Sequence, residues 1–415
     1  MESSVTKTAR RKSPALAVFD FLASLKLATV LLLLLFVLTW LATLEQTVNG
    51  LRPMMLKYFN WKELFFFPEI GRPFNNTGEE QKVTVFFPMI SGFWLCALFT
   101  LNLTLGGLVR IRKTARVVPV IVSHFSIVFL MVAAGVTHFM EERGALMVYE
   151  GETSNVAQDY HEQVIEVSEF ANGAVSKVHL IEGKPLTSLK PDETRIFKMA
   201  NLPFDLKVSN FIENAQPMPA MMQPPTQGQE VVDRFWLRDS GPMKETELHQ
   251  AGCFVEVLSK EGQPVGEKII LASRSNYPAT VSYEGRPYLI NLRKKLWVLP
   301  FAVQLDEFRV ERDPGTNRPA TFESDVTRLD GGTREEVHIK MNEPMRREGY
   351  TFFQTNWGPQ DEENPDRYYS VLEVVKNPAD HWPLASLIVV MAGLCWQFGA
   401  SLFRFMSKSK KEATS

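Results

Sequence analysis

The chain has 415 residues, with 45 Lys and Arg against 47 Asp and Glu, a formal net charge of -2 and 45% hydrophobic residues. A balance this close to neutral, without a continuous basic stripe, excludes a nucleic-acid binder. The averages match those of a soluble protein, but the apolar residues cluster near both ends and the middle is polar, so the chain is read in parts.

A membrane-crossing helix needs roughly 20 mostly apolar residues, and four stretches offer them. Residues 1–20 come first and carry Lys7, Arg10, Arg11 and Lys12. The first span, 21–44, is centred on ATVLLLLLFVLTWLA; it is too long for a signal peptide, and Trp40, Leu41, Thr43 and Leu44 offer no small-x-small cleavage site. Residues 45–82 form a loop whose LFFFPEIGRPFNN segment (64–76) is too aromatic to stand alone in water. It is expected at the membrane interface or against a larger domain. A second span covers 83–109, a basic loop 110–116 carries Arg110, Arg112, Lys113 and Arg116, and a third span covers 117–139.

From residue 140 to 382 the texture changes to short alternating runs, among them EQVIEVSEF (162–170), CFVEVLS (253–259), FAVQLDEFRVE (301–311), VHIKMN (337–342) and YYSVLEVVK (368–376). Period-two alternation broken by turn residues predicts an antiparallel β-sandwich or barrel, in one lobe or two. The Pro- and Met-rich stretch QPMPAMMQPPTQGQE (216–230) reads as a linker or exposed loop that divides this domain near its middle. The fourth span, 383–405, is followed by a tail, 406–415, with Lys408, Lys410 and Lys411. The basic residues of the two termini and of the 110–116 loop place all three on the cytoplasmic side, and the 45–82 loop and the 140–382 domain outside. The expected fold is therefore an integral membrane protein of four α-helices with a β-rich extracytoplasmic domain between the third and fourth.

Cys96 and Cys395 lie in apolar segments, which leaves Cys253 alone in the polar domain, so no internal disulfide is expected there. C-x-x-C, C-x-x-C-H and zinc-type spacings are absent from the sequence, as are a phosphate loop, a nucleophile elbow and H-E-x-x-H. Met218, Met221 and Met222 are the only close methionine group, and loop flexibility explains them without copper.

His124, in IVSHFSIVFLMVAAG, follows Arg116 by eight residues, which sets it roughly 12 Å into the membrane from the cytoplasmic side. A polar ring at that depth needs a partner or a ligand. Two readings stand on the residues alone: a hydrogen bond to a neighbouring helix, with Ser123 and Ser126 as further ties, or ligation of a metal or heme iron. His138 lies on nearly the same helix face at the outer end and reads as an interfacial residue; His381, beside Trp382 at the outer mouth of the fourth span, reads as an interfacial anchor or as a ligand at the membrane surface. His161, His179, His249 and His338 are scattered through the polar domain without ligand-like spacing.

Several blocks taken in order resemble the ResB family of System II cytochrome c biogenesis. They are SLKLATVLLLLLFVLTWLATLEQ (24–46), SHFSIVFLMVAAGVTHFMEERGALMVYEGE (123–152), LPFAVQLDEFRVERDPGTNRPATFESDV (299–326), VHIKMNEPMRREGYTFFQTNW (337–357) and YYSVLEVVKNPADHWPLASLIVVMAGL (368–394). The resemblance implies a bacterial inner-membrane protein that works with a ResC/CcsA-type partner. Together they would carry heme b across the membrane and present it to the C-x-x-C-H of apocytochrome c, with this chain a non-catalytic or co-catalytic subunit of the synthase. It also implies that His124 is an axial heme-iron ligand, a role that suits a neutral imidazole. The partner's tryptophan-rich heme-handling motif is absent, so the chain resembles the ResB half alone. Lys376-Asn377-Pro378-Ala379 replaces the family's usual Asp-Pro-Gly turn. The competing expectations are a membrane-tethered binding or sensor protein without heme, and a small-solute transporter, for which the spans lack paired ionisable groups or matching Gly/Pro breaks.

Overall fold

The structure, a computed structural model, describes residues 13–72, 81–84, 87–171, 174–190, 193–225, 228–241, 243–273, 278–316, 318–359 and 367–412. Lys7, Arg10, Arg11 and Lys12, part of the basis for the expected orientation, lie outside the described residues, as do residues 73–76 of the aromatic loop. The chain forms two compact units, Met1–Glu141 with Asn377–Ser415, and Glu142–Lys376.

The first unit begins with α1 (Pro14–Leu22), α2 (Leu25–Asn49) and α3 (Leu51–Tyr58). Short strands β1 (Phe65–Phe66), β2 (Glu69–Arg72), β3 (Gln81–Thr84) and β4 (Met89–Ile90) follow, then α4 (Gly92–Leu103), a wide helical turn at Thr104–Val109, and α5 (Val118–Met140). A single helical turn, α6 (Lys184–Thr187), belongs to the second unit, and α7 (Trp382–Glu412) completes the first. Among the described residues four helices are long and apolar enough to cross a membrane: Leu25–Asn49, Gly92–Val109, Val118–Met140 and Trp382–Ser407. No more than 22% of any of their apolar windows is buried within the protein. Helices apolar on the side turned away from their neighbours require an apolar surrounding, and their backbone groups are satisfied internally.

Local chemistry sets the helix limits. Ser24 accepts a hydrogen bond from Leu27 N at 3.2 Å, so α2 starts with a capped end and residues 14–22 form a separate short helix. Gly50, at φ 86°, ends α2 and turns the chain into α3. The second apolar helix starts at Gly92, later than the expected 83, because Pro88 interrupts the apolar run, Val83 sits in the β2–β3 hairpin, and β4 pairs with β1. The aromatic loop packs inside this unit: Phe66 is buried against Tyr58, with ring centroids 4.8 Å apart, while Phe65 and Phe67 stay exposed.

Close helix packing uses small residues. A Cβ on Gly393 of α7 would lie 2.5 Å from Ser123 Oγ and 3.1 Å from Pro119 O of α5. Ser386 Oγ donates to Ser126 O at 2.6 Å, and Asn377 Nδ2 donates to Thr137 Oγ1 at 3.1 Å.

The second unit carries β5 (Glu142–Tyr149), β6 (Thr153–Ala171), β7 (Ala174–Ile181), β8 (Thr194–Phe197), β9 (Phe204–Ile212), β10 (Ala215–Pro219), β11 (Phe235–Asp239) and β12 (Gly252–Ser259). It continues with β13 (Ile269–Ala272), β14 (Ala279–Tyr283), β15 (Arg286–Arg312), β16 (Pro319–Asp330), β17 (Thr333–Lys340), β18 (Met345–Arg347), β19 (Tyr350–Gly358) and β20 (Tyr369–Lys376). Among the described residues the named strands pair antiparallel, and a single parallel bridge joins Glu150 to Leu305 of β15. The larger sheet runs β17-β16-β15-β6-β5-β20-β19-β18, with β14 on β15 and β7 on β6; the smaller runs β13-β12-β9-β8.

Among the described residues two large hydrophobic cores fill this unit, beside a smaller cluster of Ile212, Ala215, Val232, Leu237 and Phe254. One joins Ile165, Phe204, Leu206, Val255 and Ile290; the other joins Leu146, Phe301, Val303, Ile339, Phe352 and Leu372. The 27-residue strand β15 serves both, with Tyr288, Ile290 and Leu292 in the first core and Leu299, Phe301, Val303, Leu305 and Phe308 in the second. The two lobes are therefore built on a shared strand and are not separated at 216–230. That stretch also departs from the expected loop, since residues 216–219 pair with β11 as a two-stranded ribbon. Pro217 and Pro219 are two apart, so both take non-hydrogen-bonded positions; Ala220 N, of the opposite parity, donates to Arg234 O at 2.8 Å.

Candidate functional site

The helical unit holds His124 on the first turns of α5, which opens with Pro119, where a missing N–H costs no helical bond. One turn on, Ser123 Oγ donates to Pro119 O at 3.1 Å, and His124 Nδ1 meets Val120 O at 2.7 Å. A carbonyl oxygen only accepts, so Nδ1 carries the proton of this contact and Nε2 of the neutral ring keeps a free lone pair. Ser123 and Ser126 do not reach the ring: the first bonds its own helix, and the carbonyl of the second accepts from Ser386.

The wall beside the imidazole comes from the end of α4. At Thr104–Val109 the helix widens, and Arg110 N bonds Leu105 O, five residues back, at 2.9 Å. Two glycines occupy this wide turn and meet different neighbours. A Cβ on Gly106 would lie 2.9 Å from Ala23 O, at the break between α1 and α2; a Cβ on Gly107 would overlap Cδ2 of His124 and lie 3.0 Å from its Cγ. Asn102, buried one turn earlier, donates through Nδ2 to Leu22 O at 2.5 Å and Ser24 O at 3.1 Å. Arg110 Nη2 pairs with Asp20 Oδ1 at 3.7 Å. The break, the wide turn and the His124 segment thus form one packed corner. Asn102, Gly106 and Gly107 went unread in the sequence; a polar residue and a Gly pair inside an apolar run were the signal.

His138 is exposed and rests edge-on to Phe139 at 4.9 Å, with Phe93 at 6.1 Å. Fourteen residues along one helix separate it from His124 by roughly 21 Å, too far to share a ligand atom. His381 is 76% exposed, 3.8 Å from Asp380. In the β-rich unit His179 pairs with Glu169 at 2.7 Å, His338 lies between Asp325 at 2.6 Å and Glu323 at 3.1 Å, and His249 Nε2 accepts from Met243 N at 3.0 Å. Among the described residues no three His, Cys, Asp or Glu side chains form a metal-binding group. Of the two histidines in α5, His124 lies in the first turns with Nε2 left as a lone-pair donor, chemistry that suits ligation of a metal.

Residues 284–366, which run from the turn before β15 to beyond β19, match the ResB-like family. The chain is 25% identical over 336 residues to Protein NrfI of Wolinella succinogenes, an alignment that takes in 78% of this chain and 32% of NrfI. The chain therefore spans about a third of the length of that curated relative. Both findings bear out the resemblance to the ResB family.

Proposed function

We propose that this chain acts in cytochrome c biogenesis as a heme-binding membrane subunit. With a ResC/CcsA-type partner it passes heme b across the bacterial inner membrane to apocytochrome c, its β-rich unit outside and both termini in the cytoplasm. The observation that carries the heme assignment is His124: Nδ1–H is committed to Val120 O, which leaves Nε2 as the donor. Metal-bound histidines characteristically donate their second ring N–H to a carbonyl or carboxylate, which fixes the tautomer and raises the basicity of the ligating nitrogen. The likeness to the ResB family supports the biological setting. A heme bound here would be held through its iron by Nε2 of His124. The Val120 carbonyl would orient the ring.

Hemin titration of the purified full chain, followed by its absorption spectrum, tests the assignment. The expected outcome is a histidine-ligated spectrum that His124→Ala loses while His138→Ala and His381→Ala retain it. An unchanged spectrum in the His124→Ala protein would refute the ligand role. Deletion of the gene is expected to abolish heme-stained c-type cytochromes; normal staining would refute the biological role.

A further inference from the structure

We infer that Gly107 is a positioning residue for His124: it holds the imidazole in the Nδ1–H tautomer with Nε2 presented to a ligand. The inference rests on the proposed heme reading for its purpose, but not for its geometry. Nδ1 and Cδ2 are the two ring atoms bonded to Cγ, one on each side. Val120 O fixes the Nδ1 side at 2.7 Å, and the backbone of Gly107 closes against the Cδ2 side so tightly that a Cβ there would overlap the ring. Contacts on both sides of Cγ fix rotation about Cβ–Cγ, so the direction of the Nε2 lone pair is set before any ligand arrives.

The wide turn is what brings Gly107 there. Its bond from Arg110 N to Leu105 O accommodates one more residue than an ordinary helical turn. Gly106 consequently faces Ala23 O of the α1–α2 break while Gly107 faces the imidazole. Two adjacent glycines of the same helix, one against backbone and one against the imidazole, thus separate packing from positioning. Only the second touches the ring. Any larger residue at 107 must swing the imidazole away, which breaks the bond to Val120 and frees the ring to carry its proton on Nε2, where it blocks ligation. Loss of a group that orients a metal ligand typically weakens metal affinity roughly 10- to 100-fold.

The test compares wild type, Gly107→Ala and Gly106→Ala as full chains labelled with 15N-histidine, with a His124→Gln spectrum to assign the ring signals. Wild type is expected to show a neutral His124 protonated on Nδ1; a neutral ring protonated on Nε2 would overturn the inference from that protein alone, whether or not the variants fold. Gly107→Ala is expected to gain the Nε2–H signal and to bind hemin roughly 10- to 100-fold more weakly, whereas Gly106→Ala, which crowds the Ala23 carbonyl and not the ring, keeps the Nδ1–H signal. Equal losses in the two glycine variants with the tautomer unaltered would mean packing alone and overturn the positioning role, as would a Gly107→Ala protein of wild-type tautomer and affinity. A wild-type chain that binds no hemin, or binds it undiminished after His124→Gln, refutes the heme reading instead, and the ring signals still decide the role of Gly107.

Discussion

Phe352 is fully buried in the second core of the β-rich unit, facing Phe301 with ring centroids 5.7 Å apart and paired across the ladder with Val374 and Met345. Its neighbours come from several strands whose hydrogen-bonded ladders hold them apart, so they cannot collapse into the space it leaves. Phe352→Ala is therefore expected to cost about 3–5 kcal/mol, read as a shift in the urea midpoint of the β-rich unit. A cost under about 1 kcal/mol would mean that the site relaxes freely. Cys253 is equally buried, and desolvation pushes its thiol above the ordinary range, so it behaves as a small apolar residue rather than a nucleophile. The isolation of Cys253 was legible in the sequence. The tautomer of His124 was not, because it depends on where one carbonyl and one glycine fall in space.

At the scale of elements, the larger sheet would end in two open edges, β17 and β18, each a template for unwanted pairing. Side chains close the gap: Arg347 of β18 pairs with Glu335 of β17, which Arg328 of β16 also reaches at 3.2 Å. Inside, Ser324 Oγ of β16 donates to Gln354 Oε1 of β19 at 2.7 Å, and Gln354 Nε2 donates to Ser370 Oγ of β20 at 3.0 Å. The hydrogen bond from Arg347 draws the Glu335 carboxyl down from 4.5 to about 2; burial opposes this, and Arg328 adds to it. A carboxyl depressed in the folded state stabilises the fold above its ordinary value and loses that contribution as the pH falls from 4.5 toward 2. Glu335→Gln is expected to flatten the pH dependence of the melting temperature across that window; an unchanged slope would show that the pair does not hold the edges together. The alternation of β17 was visible in the sequence, but its closure onto β18 was not, because Glu335 and Arg347 belong to strands at opposite ends of the sheet order.

On the scale of the whole molecule, the β-rich unit has its own cores, and its first and last strands, β5 and β20, pair along their full length from Glu142↔Lys376 to Tyr369↔Tyr149. Chain entry and exit are thus adjacent within one ladder, an arrangement that lets a unit fold independently of what it is attached to. Residues 142–376 expressed alone are expected to give a monomeric β-type spectrum. Because β15 runs through both cores, melting should proceed in one cooperative transition. Two separate transitions would show that the lobes are independent. The departure at Lys376-Asn377-Pro378-Ala379 has a structural use in the helical unit: Asn377 Oδ1 accepts from Ala379 N at 2.9 Å while its amide donates to Thr137.

The sequence by itself determined four apolar helices, a β-rich domain between the third and fourth, and His124 as the histidine to follow. These are properties of local composition and period, written in consecutive residues. Tertiary structure alone decided that two lobes share β15, that prolines enter a ribbon at 216–219, and that the His124 ring is held between Val120 and Gly107. Each of these depends on groups brought together from separate segments or turns, where geometry, and not residue type, determines which atom meets which.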